Sequence, residues 1–318
     1  MSFLLNYLRQ KPKLYSKIRK IYGMTIGFYW FKKIWLKKYG LWNGKNMIKL
    51  LSDEKANKII SEKIKSNEPF MVCRYGSNEF RNLFQESEFD TLCFNAGFFP
   101  NKKKLLDKFR KVYFESSRQI DYLCVWNYLN HFNKKIKWIR NFPNIKAFFS
   151  LGVIGHDQKW VKSLENKKVL IIHPFKATIE KQMKKRKELG ILPKFKKLEI
   201  IPAVQTIAGN NDPRFKAWFD ALDWMKSEID KKDFDVALIG AGAYGLPLAA
   251  YIKTIGKQAI HVGGALQSYF GILSKRAELH KDVKINKYWI RPLEKDTPKD
   301  YKKIEGGCYW GGKTLNLN

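Results

Sequence analysis

Residues 234–263 read Phe-Asp-Val-Ala-Leu-Ile-Gly-Ala-Gly-Ala-Tyr-Gly-Leu-Pro-Leu-Ala-Ala-Tyr-Ile-Lys-Thr-Ile-Gly-Lys-Gln-Ala-Ile-His-Val-Gly. An apolar run, Val236 to Ile239, enters Gly240-x-Gly242-x-x-Gly245, a helix-period segment follows, and Ala259 to Val262 returns as a second apolar run. Strand, glycine turn, helix and strand make one βαβ unit. Glycines at such a turn let the backbone N–H groups over 240–245 approach a phosphate at the positive end of the helix. They also permit close packing of helix on sheet, and both readings stand at this point. A dinucleotide site needs in addition an Asp or Glu about 20 residues beyond the glycines, for the ribose. Here the second run ends in His261-Val262-Gly263-Gly264, with no acid from Leu246 to Arg276. That weighs against an NAD-dependent oxidoreductase and leaves a phosphorylated ligand of another kind.

Outward from this unit, apolar runs alternate with helix-period segments. Helices are predicted over Asp53–Ser66 (capped by Ser52), from Ser77 to Phe84, over 102–120, 157–164 and 176–189, and over 213–229 with Pro213 in the first turn. Strands are predicted over 69–73, 122–126, 145–150, 168–172 and 198–202, and the last 50 residues read as a wrapping tail rich in Trp, Tyr and Gly. Such alternation indicates an α/β fold, a Rossmann-like, mostly parallel sheet with helices on both faces. Ligands gather at the carboxyl ends of such strands. Residues 51–318 are expected to form that domain and residues 1–50 a separate basic arm.

The chain of 318 residues has 61 Lys plus Arg against 29 acids, a formal net charge of +32. A polyanion is the natural partner of that surface, whether nucleic acid, anionic membrane or phosphorylated substrate. The charge is uneven: before Asp53 there is no acid but there are twelve Lys and Arg, threaded with aromatics such as Tyr29, Trp30, Phe31 and Trp35. The apolar stretch Ile21 to Phe31 is too short to span a bilayer. Two expectations follow for the arm, an interfacial segment on anionic lipid or a helical hairpin with a solvated basic face. Cys73, Cys93, Cys124 and Cys308 form no C-x-x-C pair, which points to reduced cysteines in the cytoplasm and away from a disulfide framework or zinc ribbon. Neither a Gly-x-Ser-x-Gly elbow nor a Walker loop is present.

Arg74-Tyr75-Gly76-Ser77-Asn78-Glu79 follows the first apolar run. It sets a cation at a strand end, a glycine at the turn and a carboxylate in the first helical turn. Glu79 could serve there as a helix-terminal acid paired with Arg74. The element also resembles the Arg-x-Gly-x-x-Glu motif of the GT-D glycosyltransferases, bacterial enzymes of surface-glycan assembly. The resemblance extends to Asn95-Ala96-Gly97-Phe98-Phe99-Pro100, Ile172-His173-Pro174-Phe175, Ala203-Val204-Gln205-Thr206-Ile207-Ala208-Gly209, the glycine turn, Ala259-Ile260-His261-Val262-Gly263-Gly264 and Glu305-Gly306-Gly307-Cys308-Tyr309-Trp310.

The resemblance implies transfer of a sugar, in the hexosyltransferase class, from a nucleotide-diphosphate donor to an acceptor hydroxyl. A UDP-sugar is the leading donor and a glycan or lipid-linked acceptor the expected partner, at the inner face of the cell membrane. It makes Arg74 and Glu79 the catalytic candidates. The donor-binding candidates are Gly76, Asn95, His173, Gln205, Gly240, Ala241, Gly242, Ala243, Tyr244, Gly245, His261 and Gly263. Two stretches depart from the family. Some members carry an Asp-x-Glu metal motif after the second strand of the terminal βαβ unit, yet Gly263 to Phe270 contains no acid. A divalent Mn or Mg ion would therefore need ligands from elsewhere, such as Glu79 or Asp212. The subgroup's Gly-Ile-Lys-Gly-x-Arg-Trp stretch stands here as Gly271-Ile272-Leu273-Ser274-Lys275-Arg276-Ala277. The rival from another class is a nucleic-acid-binding protein, suggested by the net charge and the arm, although no RRM, KH or zinc-finger pattern accompanies them.

Overall fold

The structure is a computed structural model that describes residues 50–84, 89–125, 138–139, 141–279 and 283–311. The basic arm up to residue 49 lies outside the described residues, as do His131 and His280. All described residues but 138 and 139 belong to one compact unit.

Within it, seven strands form one sheet in the order β3-β2-β1-β7-β6-β4-β5, and every pairing is parallel. The strands are β1 (Phe70–Arg74), β2 (Tyr122–Val125), β3 (Ala147–Ser150), β4 (Lys168–Ile172), β5 (Lys197–Ile201), β6 (Val236–Ile239) and β7 (Gln258–His261). The central strands β2, β6 and β7 are buried at every residue, as their unbroken apolar runs require when helices cover both faces. The α/β class expected from the sequence is what the chain forms.

Ten α-helices are described: α1 (Asp53–Ser66), α2 (Ser77–Asn82), α3 (Phe89–Ala96), α4 (Leu106–Ser117), α5 (Lys176–Met183), α6 (Arg186–Leu189), α7 (Trp218–Asp230), α8 (Gly245–Thr254), α9 (Leu266–Tyr269) and α10 (Lys275–Leu279). One face of the sheet presents Phe70, Val72, Val169, Ile171, Leu238 and Ile260 to Ile60 and Ile64 of α1, Ile179 of α5 and Tyr269 of α9. On the other, Tyr113 of α4, Trp218 of α7 and Tyr244 join one aromatic layer: Trp218 stacks on Tyr244 at 5.1 Å and meets Phe109 at 5.5 Å. Burial of these side chains, each worth roughly 1.5–3 kcal/mol, supplies the main driving force. Cys73 and Cys124 are buried free thiols in the strands, as expected.

Element boundaries differ from the sequence reading where side chains capture backbone groups. The predicted helix at 213 begins only at Trp218, because the Asp220 carboxylate accepts the N–H groups of Lys216 and Ala217 and fixes the start there. The segment 176–189 breaks into α5 and α6, ended by Gly190 in the left-handed region. Residues 159–164 form a 3-10 helix, and α3, which buries Phe89, Leu92 and Ala96 at helical spacing, lies where the sequence reading placed no helix.

Candidate active site

The connection leaving β4 runs through α5 on one face, and the one leaving β6 runs through α8 on the other. Adjacent parallel strands whose connections diverge leave a crevice at their carboxyl ends. His173 follows β4 and Gly240 follows β6, so two of the sequence candidates meet there. The cleft extends across the ends of β7 and β1 and takes in Arg74, Gly76, Glu79, Asn95, His173, Gln205, Gly240, Ala241, Gly242, Tyr244, His261 and Gly263. These residues lie up to 189 positions apart in the chain, and a single sheet edge gathers them.

The Arg-x-Gly-x-x-Glu element has a mechanical explanation. Glu79 sits in the first turn of α2 and is 6 % exposed. Its carboxylate folds back over Gly76, so that a Cβ on residue 76 would fall on the carboxylate itself. The glycine is the space in which the acid is seated. Burial raises the Glu79 pKa, the nearby Arg74 guanidinium and a hydrogen bond to its own backbone pull it down, and the Glu305 charge adds to the rise. Arg74, at the end of β1, donates from Nε and Nη2 to the Tyr75 carbonyl at 3.2 and 3.0 Å. Its Nη1 lies against Gly263, where a Cβ would come within 2.8 Å and where φ is +76°. A side chain at 263 would thus be strained and would displace the guanidinium.

Both cleft histidines are neutral. Burial lowers the His173 pKa to about 3, and its Nδ1 accepts the Phe175 N–H at 3.0 Å, which leaves the proton on Nε2. Burial and the Arg74 charge lower that of His261 to about 3, against a hydrogen bond to the Arg74 backbone. Within the described residues, Nδ1 of His261 and Oε1 of Gln267 are buried without a partner, and both residues line the cleft. The N–H groups of Ala241 and Gly242 likewise find no acceptor among the described residues. A buried polar group without a partner calls for an explanation, and at the His261 and Gln267 positions a ligand in the cleft could supply one, whereas Gly242 is exposed. The arrangement offers one cation, neutral donors and a turn of free N–H groups to an anion, with a buried carboxylate beside them.

No family model matches the sequence, and no curated protein does. The chain is similar to solved glycosyltransferase-fold domains. A domain of unknown function 1792 is 16 % identical, with a TM-score of 0.48 over 73 % of this chain and 83 % of that one. A second domain 1792, described as having a distinct glycosyltransferase fold, is 16 % identical at a TM-score of 0.45, over 69 % of this chain and 79 % of its own. A glycosyltransferase of the same domain from Streptococcus sanguinis is 13 % identical at 0.46, over 76 % and 98 %. Such values describe a general likeness of fold; the chemistry of the cleft rests on its own residues.

Two of the sequence candidates do not reach the cleft. Ala243 is fully buried, and its carbonyl accepts the Tyr113 hydroxyl at 2.8 Å. Gly245 faces the His261 ring, on which a Cβ would fall. The third glycine of the turn therefore serves helix–sheet packing, the reading left open from sequence. Asp212 is held by Arg214 at 2.6 Å and is not among the cleft residues. Conversely, Gln267, Glu305, Tyr309 and Trp310 line the cleft without having been assigned a role. Only the Glu305–Trp310 block hinted at it. The carboxylates lining the cleft are Glu79 and Glu305, so these are the side chains that could hold a divalent cation against a diphosphate. Among the described residues no three His, Cys, Asp or Glu converge as a metal cluster. No described helix is long and apolar enough to cross a membrane.

Proposed function

We propose that the protein is a glycosyltransferase that moves a hexose from a nucleotide-diphosphate donor, in the first place a UDP-sugar, to an acceptor hydroxyl. The observation that carries this reading is the meeting of Arg74, the free N–H groups of the glycine turn and the seated Glu79 carboxylate in one cleft. The bond from the sugar's anomeric carbon to the β-phosphate oxygen breaks, and its electron pair stays on the diphosphate. Arg74, the N–H groups of Ala241 and Gly242 and the His173 Nε2–H stabilise that charge. The acceptor oxygen bonds to the anomeric carbon, and its proton passes to Glu79. Burial suits Glu79 to the task, since a base with a raised pKa holds a proton more readily near neutral pH. An NAD enzyme fits less well, because β7 runs into Val262-Gly263-Gly264 with no carboxylate for a ribose. The net charge and the aromatic arm support an acceptor at an anionic membrane surface, in cell-surface glycan assembly.

Thermal shift separates these readings: UDP is expected to raise the melting temperature, and NAD and short single-stranded DNA are not at moderate salt. Glu79→Gln is nearly isosteric and should lower turnover by roughly 10² to 10⁴ with the fold intact. Arg74→Ala should weaken UDP binding as well. Saturable NAD binding that survives high salt, or near-normal turnover in Glu79→Gln, would overturn the assignment.

A further inference from the structure

Beside the cleft lies a second, more open depression between α3 and the loop after β5, and it shares Asn95 and Thr206 with the cleft. The partition between the two is braced: the Thr206 hydroxyl donates to the Gly97 carbonyl at 2.6 Å. Ala208 and Gly209, both at positive φ, turn the chain at its rim. Ala208 is a non-glycine residue held in the left-handed region, a strain that persists only where surroundings fix it.

The lining has an uncommon composition for this molecule. In a chain of net charge +32, no Lys or Arg is among the described residues that line it. Four amides and a carboxylate, Asn95, Asn101, Asn210, Asn211 and Asp90, line it together with the apolar Phe94, Phe98, Phe99 and Pro100, and Asn101 donates from Nδ2 to Asp90 Oδ1 at 3.4 Å. Phe94 is 36 % exposed and is one of two large hydrophobic side chains that stand out from the described surface, the other being Ile255. Asn211 is exposed, and Asn210 is turned by a hydrogen bond from its Nδ2 to the Ile207 carbonyl at 2.8 Å.

A phosphate-bearing ligand such as a nucleic acid or a lipid headgroup would select cations, and the walls supply none. A neutral saccharide matches them. Its axial C–H face is apolar and fits an exposed aromatic ring, while its rim of hydroxyls both donates and accepts, as amide side chains do. We propose that this groove, which borders the cleft at Asn95, is the acceptor subsite and binds a neutral glycan with one sugar ring on Phe94. The assignment of the bound sugar as acceptor rests on the glycosyltransferase reading. The binding of a saccharide there does not.

The test is saturation-transfer difference NMR on the full chain. The probes are the methyl glycosides of glucose, galactose, N-acetylglucosamine and N-acetylgalactosamine, against wild type, Phe94→Ala and Asn211→Ala. Both side chains are exposed, so neither variant should alter the melting temperature or the UDP-induced shift. At least one glycoside should show transfer strongest at its ring C–H protons, weakened about fivefold or more by Phe94→Ala and also reduced by Asn211→Ala. No transfer from any glycoside, or transfer indifferent to both variants, overturns the groove as a sugar site. Single-stranded DNA or anionic vesicles whose binding Phe94→Ala abolishes would overturn it in favour of another occupant. If glycosides bind through Phe94 while UDP gives no thermal shift, the donor reading fails and the saccharide groove stands.

Discussion

Replacing Gly76 by Ala tests the seat of Glu79 without touching its chemistry. Gly76 has φ −67° and ψ 150°, a conformation open to any residue, so the backbone accepts the change. Fewer unfolded conformations would by themselves stabilise the variant by about 0.4–1 kcal/mol. Against this, the new Cβ occupies the place of the Glu79 carboxylate, which must leave a buried position at a cost of roughly 1–3 kcal/mol. The difference lies between no change and a loss of about 2.6 kcal/mol, a fall in melting temperature of at most roughly 10 °C in a domain of this size. Turnover should fall much further, by roughly 10² or more, because the base is displaced by more than the 1 Å at which positioned catalysis fails. Initial-rate assays with a UDP-sugar, run beside UDP thermal shifts, separate the two effects. The double variant Gly76→Ala/Glu79→Gln should be no slower than Glu79→Gln alone, since both changes remove one function. Near-normal turnover in Gly76→Ala, or a double variant slower by the product of the single effects, would refute the reasoning.

Three further outcomes follow from the same structure. His173 and His261 are neutral when folded, with pKa values of about 3, but take up protons near 6.5 when unfolded, so their contribution is complete above pH 6.5 and is lost as pH falls toward 3. Urea unfolding should lose on the order of 1 kcal/mol per histidine per pH unit below about 6; a midpoint unchanged between pH 7.5 and 5 would contradict buried neutral imidazoles. Transfer is expected to persist in EDTA, because Gly263 to Phe270 lacks an acid; activity lost to EDTA and restored by Mn²⁺ would make Glu79 and Glu305 the ligands to mutate. Deleting residues 1–45 should release the protein from anionic vesicles and leave UDP binding intact, with wild-type binding weakening as salt shortens the screening length toward about 8 Å. Vesicle binding indifferent to lipid charge and to the deletion would remove the interfacial role.

The sequence alone determined the sheet. Apolar runs of four to five residues, each followed by a turn and a helix-period segment, require parallel strands covered on both faces, because only such strands exclude polar positions throughout. It also placed Arg74, His173 and the glycine turn at strand ends, with Glu79 in the helical turn that follows the first of them, and parallel strands deliver their carboxyl ends to one side. What spacing could not decide was which atoms at that edge face outward. Gly242 and Gly245 look alike in the motif, yet one lines the cleft and the other makes room for the His261 ring. Gly76 reads as a turn residue and proves to be the space in which a carboxylate rests. Glu305, Tyr309 and Trp310 enter the cleft from a tail without period, and the groove at Phe94 is completed by residues 206 and 209–211, more than a hundred positions away. Local propensity follows from each residue and the few beside it. A cleft is made by close approaches between segments more than a hundred residues apart, and only tertiary packing brings those together.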